Sequence, residues 1–199
     1  MRKVLIGLFV TLVSVNCGEL QTVGNSSSYL IIQSIEAAKG NDVDEFGGDL
    51  ASDVVTLVDE HPTVYADVGR VAFLLGLKDP GSPGLPTIST TNNAITVNRY
   101  RVRYIRADGR NTPGVDVPYP FDGAFTATVS GAGIKASFTL VRIQAKSEAP
   151  LRLLAYRNAS NAISTIAEVT FYGSDQAGNE VNVSGRVGVD FADWGDPSS

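Results

Sequence analysis

The stretch "VTFYGSDQAGNEVNVSGRVGVDF", Val169–Phe191, decides the fold class of this 199-residue chain. Its second half alternates apolar and polar side chains. The apolar positions are Val181, Val183, Val187, Val189 and Phe191. A period of two residues is typical of a strand with one buried and one solvated face. Between the halves, "DQAGN" supplies Gly178 and Asn179, which tolerate positive φ, and Asp175, which can accept local amide bonds. The stretch therefore predicts two strands joined by a tight turn.

Similar short runs recur along the chain and are separated by turn residues. They are Tyr29–Ala37, Val54–Val58, Gly69–Leu77, Ala94–Arg106, Gly123–Val129, Ile134–Ala145, Ile163–Gly173 and Val181–Phe191. No segment carries a long helical apolar stripe, and the best helical candidate is the short Leu151–Tyr156. Strands with turn-rich connections predict an all-β domain.

The hairpin at Val169–Gly185 resembles the last two strands of bacterial immunoglobulin-like and fibronectin-type repeats, in which an aromatic residue followed by D-x-x-G-N is common. The resemblance implies an immunoglobulin-like antiparallel β-sandwich of about seven to nine strands, occupying residues 29–193. Trp194 lies beyond the last predicted strand and begins a C-terminal tail, 194–199. A closed eight-stranded barrel is the alternative.

The N-terminus carries the pattern of an export signal. Arg2 and Lys3 precede an apolar run of 12 residues, Val4–Val15, which has the length of a signal-peptide core and is too short to span a bilayer. Cys17, the only cysteine, follows this run. We therefore expect residues 1–16 to be a signal peptide and residues 17–28 to form a flexible tether.

This arrangement resembles bacterial lipoprotein precursors, in which a peptidase cuts just before a cysteine that then receives lipid. Val15 matches the family pattern, whereas Ser14 and Asn16 differ from it. The resemblance implies that Cys17 anchors the protein in the cell envelope. Gly18, where a retention aspartate would stand, implies the outer membrane. Ordinary secretion with a free thiol is the alternative.

Charge and composition argue against several classes of function. The formal net charge is −5, and such a surface repels phosphate backbones, so we expect no nucleic-acid partner. His61 is the only histidine, and it lies in a predicted turn. Triads based on histidine, zinc sites and thiol catalysis lack the residues they need. We therefore expect a non-catalytic protein without a cofactor.

Three arginines, Arg99, Arg101 and Arg103, share the polar face of one predicted strand. They could form a site for anions or acidic glycans. They could instead form cross-strand ion pairs with carboxylates such as Glu168, and the pattern favours this pairing over an anion site.

A proline-rich loop, Asp108–Asp122, is the second candidate site. Its possible binding residues are Arg110, Asn111, Tyr119 and Phe121. Prolines restrict such a loop and tyrosine is a common contact residue. The same residues suit a stiff crossover with Tyr119 and Phe121 in the core. In a sandwich, this loop and Ser147–Ala162 should lie at one end, and Lys78–Asn93 at the other with the Ser174–Glu180 turn.

An acidic stretch, "NDVDEFGGDLASD", contains a weak calcium candidate formed by Asp42, Asp44 and Asp49. Phe46 occupies a ligand position of a calcium loop, and no glutamate closes it. The pattern favours a solvated acidic loop without a metal.

Together these features predict a lipid-anchored envelope protein, acting as a binding or structural module for a protein or polysaccharide. The alternative is a carbohydrate-binding or small-ligand-carrying β-domain.

Overall fold

A computed structural model describes residues 24–155 and 161–194. The predicted signal peptide, Cys17, Tyr156 and residues 195–199 lie outside these ranges. Within them, the strands are β1 (Ser28–Lys39), β2 (Asp42–Gly47), β3 (Asp49–Asp53), β4 (Thr56–Val58), β5 (His61–Thr63), β6 (Asp67–Leu77), β7 (Gly81–Ser82), β8 (Leu85–Pro86), β9 (Ile95–Ile105), β10 (Phe121–Val129), β11 (Ile134–Val141), β12 (Ile163–Asp175) and β13 (Glu180–Ala192). A short helix, α1 (Ile143–Ser147), and 3-10 turns at Thr91–Asn93 and Leu151–Leu154 complete these elements.

The long strands form two main sheets. The first has the order β11-β6-β1-β2 and the second has the order β10-β9-β12-β13-β3. All pairings within them are antiparallel except β13 with β3, which is parallel. The prediction of an all-β, sandwich-like fold is confirmed. Two short two-stranded sheets, β4-β5 and β7-β8, accompany the main ones, and the described strands include no single eight-stranded sheet of the kind that the barrel alternative expects.

The apolar faces of the two sheets meet in an aromatic core. The rings of Phe73 on β6 and Phe138 on β11 meet Phe171 on β12 edge-on, with centroid distances of 5.0 and 5.3 Å. Edge-to-face contacts of this kind add to the free energy gained by burial. The predicted inward residues of β13 are buried, as are Tyr100, Val102 and Tyr104 of β9. The alternation read from the sequence is therefore confirmed on both strands.

Two tyrosines of β9 tie the second sheet to the first. The hydroxyl of Tyr100 donates to the carbonyl of Thr139 at 3.0 Å, and that of Tyr104 donates to the carbonyl of Leu140 at 2.7 Å. Burial, with a smaller contribution from the charge of Asp67, raises the pKa of Tyr104 well above its ordinary value. The ring of Tyr100 also covers its cross-strand partner Gly123, where a Cβ would overlap it.

The strands run between two distinct ends of the domain. At the turn end, Ser28 pairs with Leu77, and the side chain of Gln176 donates to the carbonyl of Ala94. The loop end carries the Ile105–Phe121 connection, α1 and the start of β12. The predicted division of the long loops between opposite ends is therefore confirmed for their described residues.

The predicted turn "DQAGN" is built around one carboxylate. Asp175 accepts bonds from the side-chain amide of Asn179 at 2.9 Å and from the backbone amides of Asn179 and Ala177 at 2.8 and 2.9 Å. The side-chain bond from Asn179 is the main cause that lowers the pKa of Asp175. Gly178 has a φ of +85°, which glycine adopts without strain. The prediction for this turn is confirmed.

The structure corrects three predictions. The acidic stretch is not a loop: β2 pairs with β1 in the first sheet, and β3 pairs with β13 in the second. The predicted tether does not extend to Ser28, because Ser28 begins β1 and Ser26 is buried. The strand predicted over Ile134–Ala145 ends at Val141, and the chain turns into α1.

A buried ion pair fixes α1 against the sheets. Lys146 Nζ lies 2.9 Å from Asp67 Oδ2, and both side chains are 1% exposed. The same carboxylate accepts bonds from the Ser52 hydroxyl at 2.6 Å and from the Gly40 amide at 3.0 Å. These donors compensate the desolvation of the carboxylate, as a buried ion pair requires. One side chain thus joins β3, β6, α1 and the turn after β1.

Removing one partner of this pair should cost about 3–5 kcal/mol, because the other charge stays buried and uncompensated. We expect that loss for Lys146→Met and for Asp67→Asn in urea unfolding. The double variant should be less destabilised than the sum of the two single variants. Arg186→Gln, which removes an exposed ion pair, is the matched control and should cost at most about 1 kcal/mol. Additive losses in the double variant would contradict the coupling.

Candidate functional site

A pocket of about 290 Å³ opens at the loop end, between the proline-rich loop and α1. We call it the loop-end pocket. Its lining residues are Pro118, Tyr119, Pro120, Phe121, Arg142, Gln144, Ala145, Glu148 and Ala149. A concave site that combines apolar walls with a few polar groups is the usual form of a small-ligand site.

One wall of the loop-end pocket is an exposed aromatic ring. Tyr119 is 57% exposed and is held between Pro118 and Pro120, whose rings restrict the backbone. Gly114 has a φ of +77°, and a Cβ at this position would overlap the Tyr119 ring. One side of the ring therefore packs against the backbone of Gly114, and the absence of a side chain there allows this close approach.

The opposite wall is polar and lies around α1. The Arg142 guanidinium stacks 3.9 Å from the centroid of Phe121 and donates to the carbonyl of Asp122. The Gln144 amide donates to the Glu148 carboxylate at 2.8 Å, across one helical turn. The pocket therefore presents guanidinium donors, a carboxylate acceptor and a phenol beside an aromatic surface.

The four predicted residues of the proline-rich loop have different surroundings. Tyr119 and Phe121 line the loop-end pocket, but Phe121 is only 8% exposed and belongs to the core. Asn111 lines a neighbouring pocket of about 190 Å³, and its side-chain Oδ1 accepts a hydrogen bond from the backbone amide of Arg106 at 2.7 Å. Arg110 lines neither pocket and binds Asp108 instead. The structure thus brings together Tyr119 and Phe121 and separates Arg110 from them.

Asp108 lies between two arginines at the rim of the same loop. Arg106 Nη2 is 2.6 Å and Arg110 Nη2 is 2.9 Å from its carboxylate. The hydrogen bond from Arg106, then the Arg110 amide, hold the pKa of Asp108 far below its ordinary value. These two ion pairs hold the start of the loop together, and the charge of Arg110 is paired with Asp108.

The three arginines of β9 lie on the outer face of the second sheet and are paired, as the sequence favoured. Arg99 and Arg101 share Asp122 at 3.6 and 3.3 Å. Arg103 shares Glu168 with Arg186, each at 2.8 Å. Arg99 also stacks 3.8 Å from the ring centroid of Tyr172. The cross-strand pairing is confirmed, and these charges are engaged with neighbouring side chains.

The weak calcium candidate is not assembled. Asp42 and Asp44 lie on β2, and Asp49 begins β3. Asp42 and Asp49 line one pocket together with Glu45, whereas Asp44 does not line it. No three His, Cys, Asp or Glu side chains within residues 24–155 and 161–194 come together as a metal site. His61 lies on the short β5, which pairs with β4.

Sequence reasoning missed the polar wall of the pocket, namely Arg142, Gln144 and Glu148. The spacing of Gln144 and Glu148 by four residues is a helical signal, but it is weak in so short a segment. Their position beside Tyr119 depends on where Lys146 anchors α1.

Comparison of the chain with protein-family models, curated proteins and solved structures found no match. Among the described residues, no helix has the length and apolar character needed to cross a bilayer.

The pairing of Glu168 predicts its titration. Hydrogen bonds from Arg186 first, and then from Arg103, lower the pKa of Glu168 below its ordinary value of 4.5. The contribution of these ion pairs to the stability of the folded state is therefore complete above the unfolded-state pKa of Glu168. It is lost as the pH falls through the lower folded-state pKa of the same group. NMR titration of the Glu168 carboxyl should give a midpoint below 4.5.

The double variant Arg103→Gln/Arg186→Gln should raise that midpoint towards the ordinary value. Arg99→Gln is the control, because Arg99 contacts Asp122 and not Glu168. An unchanged midpoint in the double variant would refute the assigned cause.

Proposed function

We propose that this chain is a non-catalytic, lipid-anchored protein of the bacterial outer membrane, and that its β-domain presents the loop-end pocket to a partner. The observation that supports the proposal is that the chain enters the domain at one end and the pocket lies at the other. The chain joins β1 at the turn end, whereas the pocket lies at the loop end. The strand between them, β1, has 12 residues. At about 3.3 Å per residue, it separates the two ends by about 35 Å.

The short link to the predicted lipid supports the same orientation. Only six residues, 18–23, separate Cys17 from Gly24, the first described residue. Even a fully extended link of this length spans at most about 25 Å. The turn end is therefore held near the bilayer surface, and the opposite end is directed away from it.

We further propose that the sandwich is of the immunoglobulin type. The strands of eight or more described residues are β1, β6, β9, β10, β11, β12 and β13. If they are named A, B, C, C′, E, F and G, the observed pairings A–B, B–E, C–F and F–G are those of this fold. β10 beside β9 takes the C′ position of variable-type domains. NMR contacts between β11 and β6 would test the decisive B–E pairing.

A polysaccharide is the partner that the pocket chemistry favours over a protein. A sugar ring presents an apolar face, which an exposed aromatic ring such as Tyr119 can cover. Its hydroxyl groups both donate and accept, which matches the guanidinium of Arg142, the amide of Gln144 and the carboxylate of Glu148. The alternative function, a carbohydrate-binding β-domain, thus becomes the specific form of the proposal.

Cys17→Ser should release the protein from the membrane fraction while export continues, because the mutation removes the proposed lipid attachment atom. Cell fractionation followed by immunoblotting measures the distribution. Ser14→Ala, which leaves the cysteine in place, is the control. Membrane association that survives Cys17→Ser in exporting cells would overturn the anchor.

Tyr119→Ala should weaken glycan binding by the full chain in detergent at least tenfold on an envelope-glycan array, because it removes the stacking surface. Tyr119→Phe should retain most of the binding, since it keeps the ring. Tyr172→Ala changes a tyrosine on the outer sheet face and is the matched control. Equal binding by the wild-type and Tyr119→Ala chains would exclude this pocket as the sugar site.

A further inference from the structure

An uncharged loop projects from the turn end of the domain. Residues Pro80–Asn93, which we call the neutral loop, contain no Asp, Glu, Lys or Arg. Two large aliphatic side chains on this loop, Leu85 and Ile88, are each 80% exposed. Single exposed apolar residues are ordinary, but two of them on one uncharged loop give that loop an exposed apolar surface.

Local bonds give the neutral loop a defined shape. The Gly81 amide donates to the Asp79 carboxylate, and the Thr87 amide donates to the Pro80 carbonyl, both at 3.0 Å. β7 and β8 pair across the tip, so Leu85 is presented on a small hairpin. The exposure of Leu85 thus belongs to a turn held by hydrogen bonds at its base.

The neutral loop is fastened to the segment through which the chain joins the domain. Lys78 Nζ donates to the carbonyl of Gly24 at 2.7 Å, and the Lys78 amide donates to the carbonyl of Ser27 at 3.1 Å. The Asn93 amide group donates to the Ser27 hydroxyl at 3.2 Å. Both ends of the loop therefore flank the residues that lead to Cys17, and the six-residue link holds all of them near the lipid.

Charge distinguishes the neutral loop from the proline-rich loop at the opposite end of the domain. The proline-rich loop carries four charged residues, Asp108, Arg110, Asp116 and Asp122, whereas the neutral loop carries none. The charges nearest to the neutral loop are those of Lys78 and Asp79 at its base and of Asp175 and Glu180 at the ends of the neighbouring turn. On a chain with net charge −5, a neutral surface is the part that can approach anionic headgroups without like-charge repulsion. Exposed aliphatic side chains gain free energy when they leave water for the acyl boundary.

We propose that the neutral loop inserts Leu85 and Ile88 into the interfacial layer of the bilayer that holds the Cys17 lipid. This contact fixes the tilt of the domain and keeps the loop end pointing outward. It rests on the proposed lipid anchor.

The test uses the full lipidated chain in vesicles of phosphatidylethanolamine and phosphatidylglycerol. Lipidation consumes the Cys17 thiol, so Leu85→Cys supplies the single reactive thiol for an environment-sensitive dye. Val115→Cys is the matched control, because Val115 is 68% exposed and lies at the loop end. We expect the dye at position 85 to shift to shorter wavelength and to be quenched by brominated lipid several-fold more than the dye at position 115.

Solvent-like emission at position 85, on chains that still float with the vesicles, would overturn the insertion while leaving the anchor intact. Intact mass gives the independent readout of the anchor. A purified chain whose mass shows no lipid would refute the anchor, and the insertion proposal would fall with it. Strong quenching at both positions would also refute the proposal, because it would show a domain lying flat on the bilayer.

Discussion

The buried pair of Asp67 and Lys146 is the interaction on which the loop end depends. The Asp67 carboxylate holds the turn after β1 through Gly40, holds β3 through Ser52, and holds α1 through Lys146. Lys146 can stay buried only because this carboxylate neutralises it. The pair anchors α1, which carries Gln144 and is flanked by Arg142 and Glu148, so it helps to hold the polar wall of the loop-end pocket in place.

The fold class could be predicted because the side chains of the central strands alternate. β9, β12 and β13 carry apolar residues at every second position, and their outward partners include the complementary charges of Arg103 and Glu168. The turn at Asp175 was equally readable, since one carboxylate and one glycine determine it locally. In these elements the sequence shows both the alternation of buried and exposed side chains and the residues that form the local hydrogen bonds.

The edge strands could not be predicted. Four of the six residues of β2 are exposed and three are acidic, and aspartate and glutamate are depleted in strands. β3 has five residues and buries only one large apolar side chain, Leu50, so its sequence carries too short an apolar pattern to predict a strand. The burial of Lys146 was equally hidden, because lysine is rarely buried and its partner lies 79 positions earlier. For this reason the sequence identified only one wall of the candidate site. Tyr119 lies in a proline-rich loop that can be recognised locally, whereas the position of the wall that contains Arg142 depends on that long-range pair.

The direction of β1 has a mechanical consequence. The chain joins this strand at the turn end, and a load applied at the loop end would pull along the strand axis. Ladder hydrogen bonds between β1 and β6 lie perpendicular to that axis. A pull in this direction shears the ten paired positions of the ladder together, whereas a pull from the side would open them one after another. The arrangement is that of a domain able to resist traction between its point of attachment and whatever it holds.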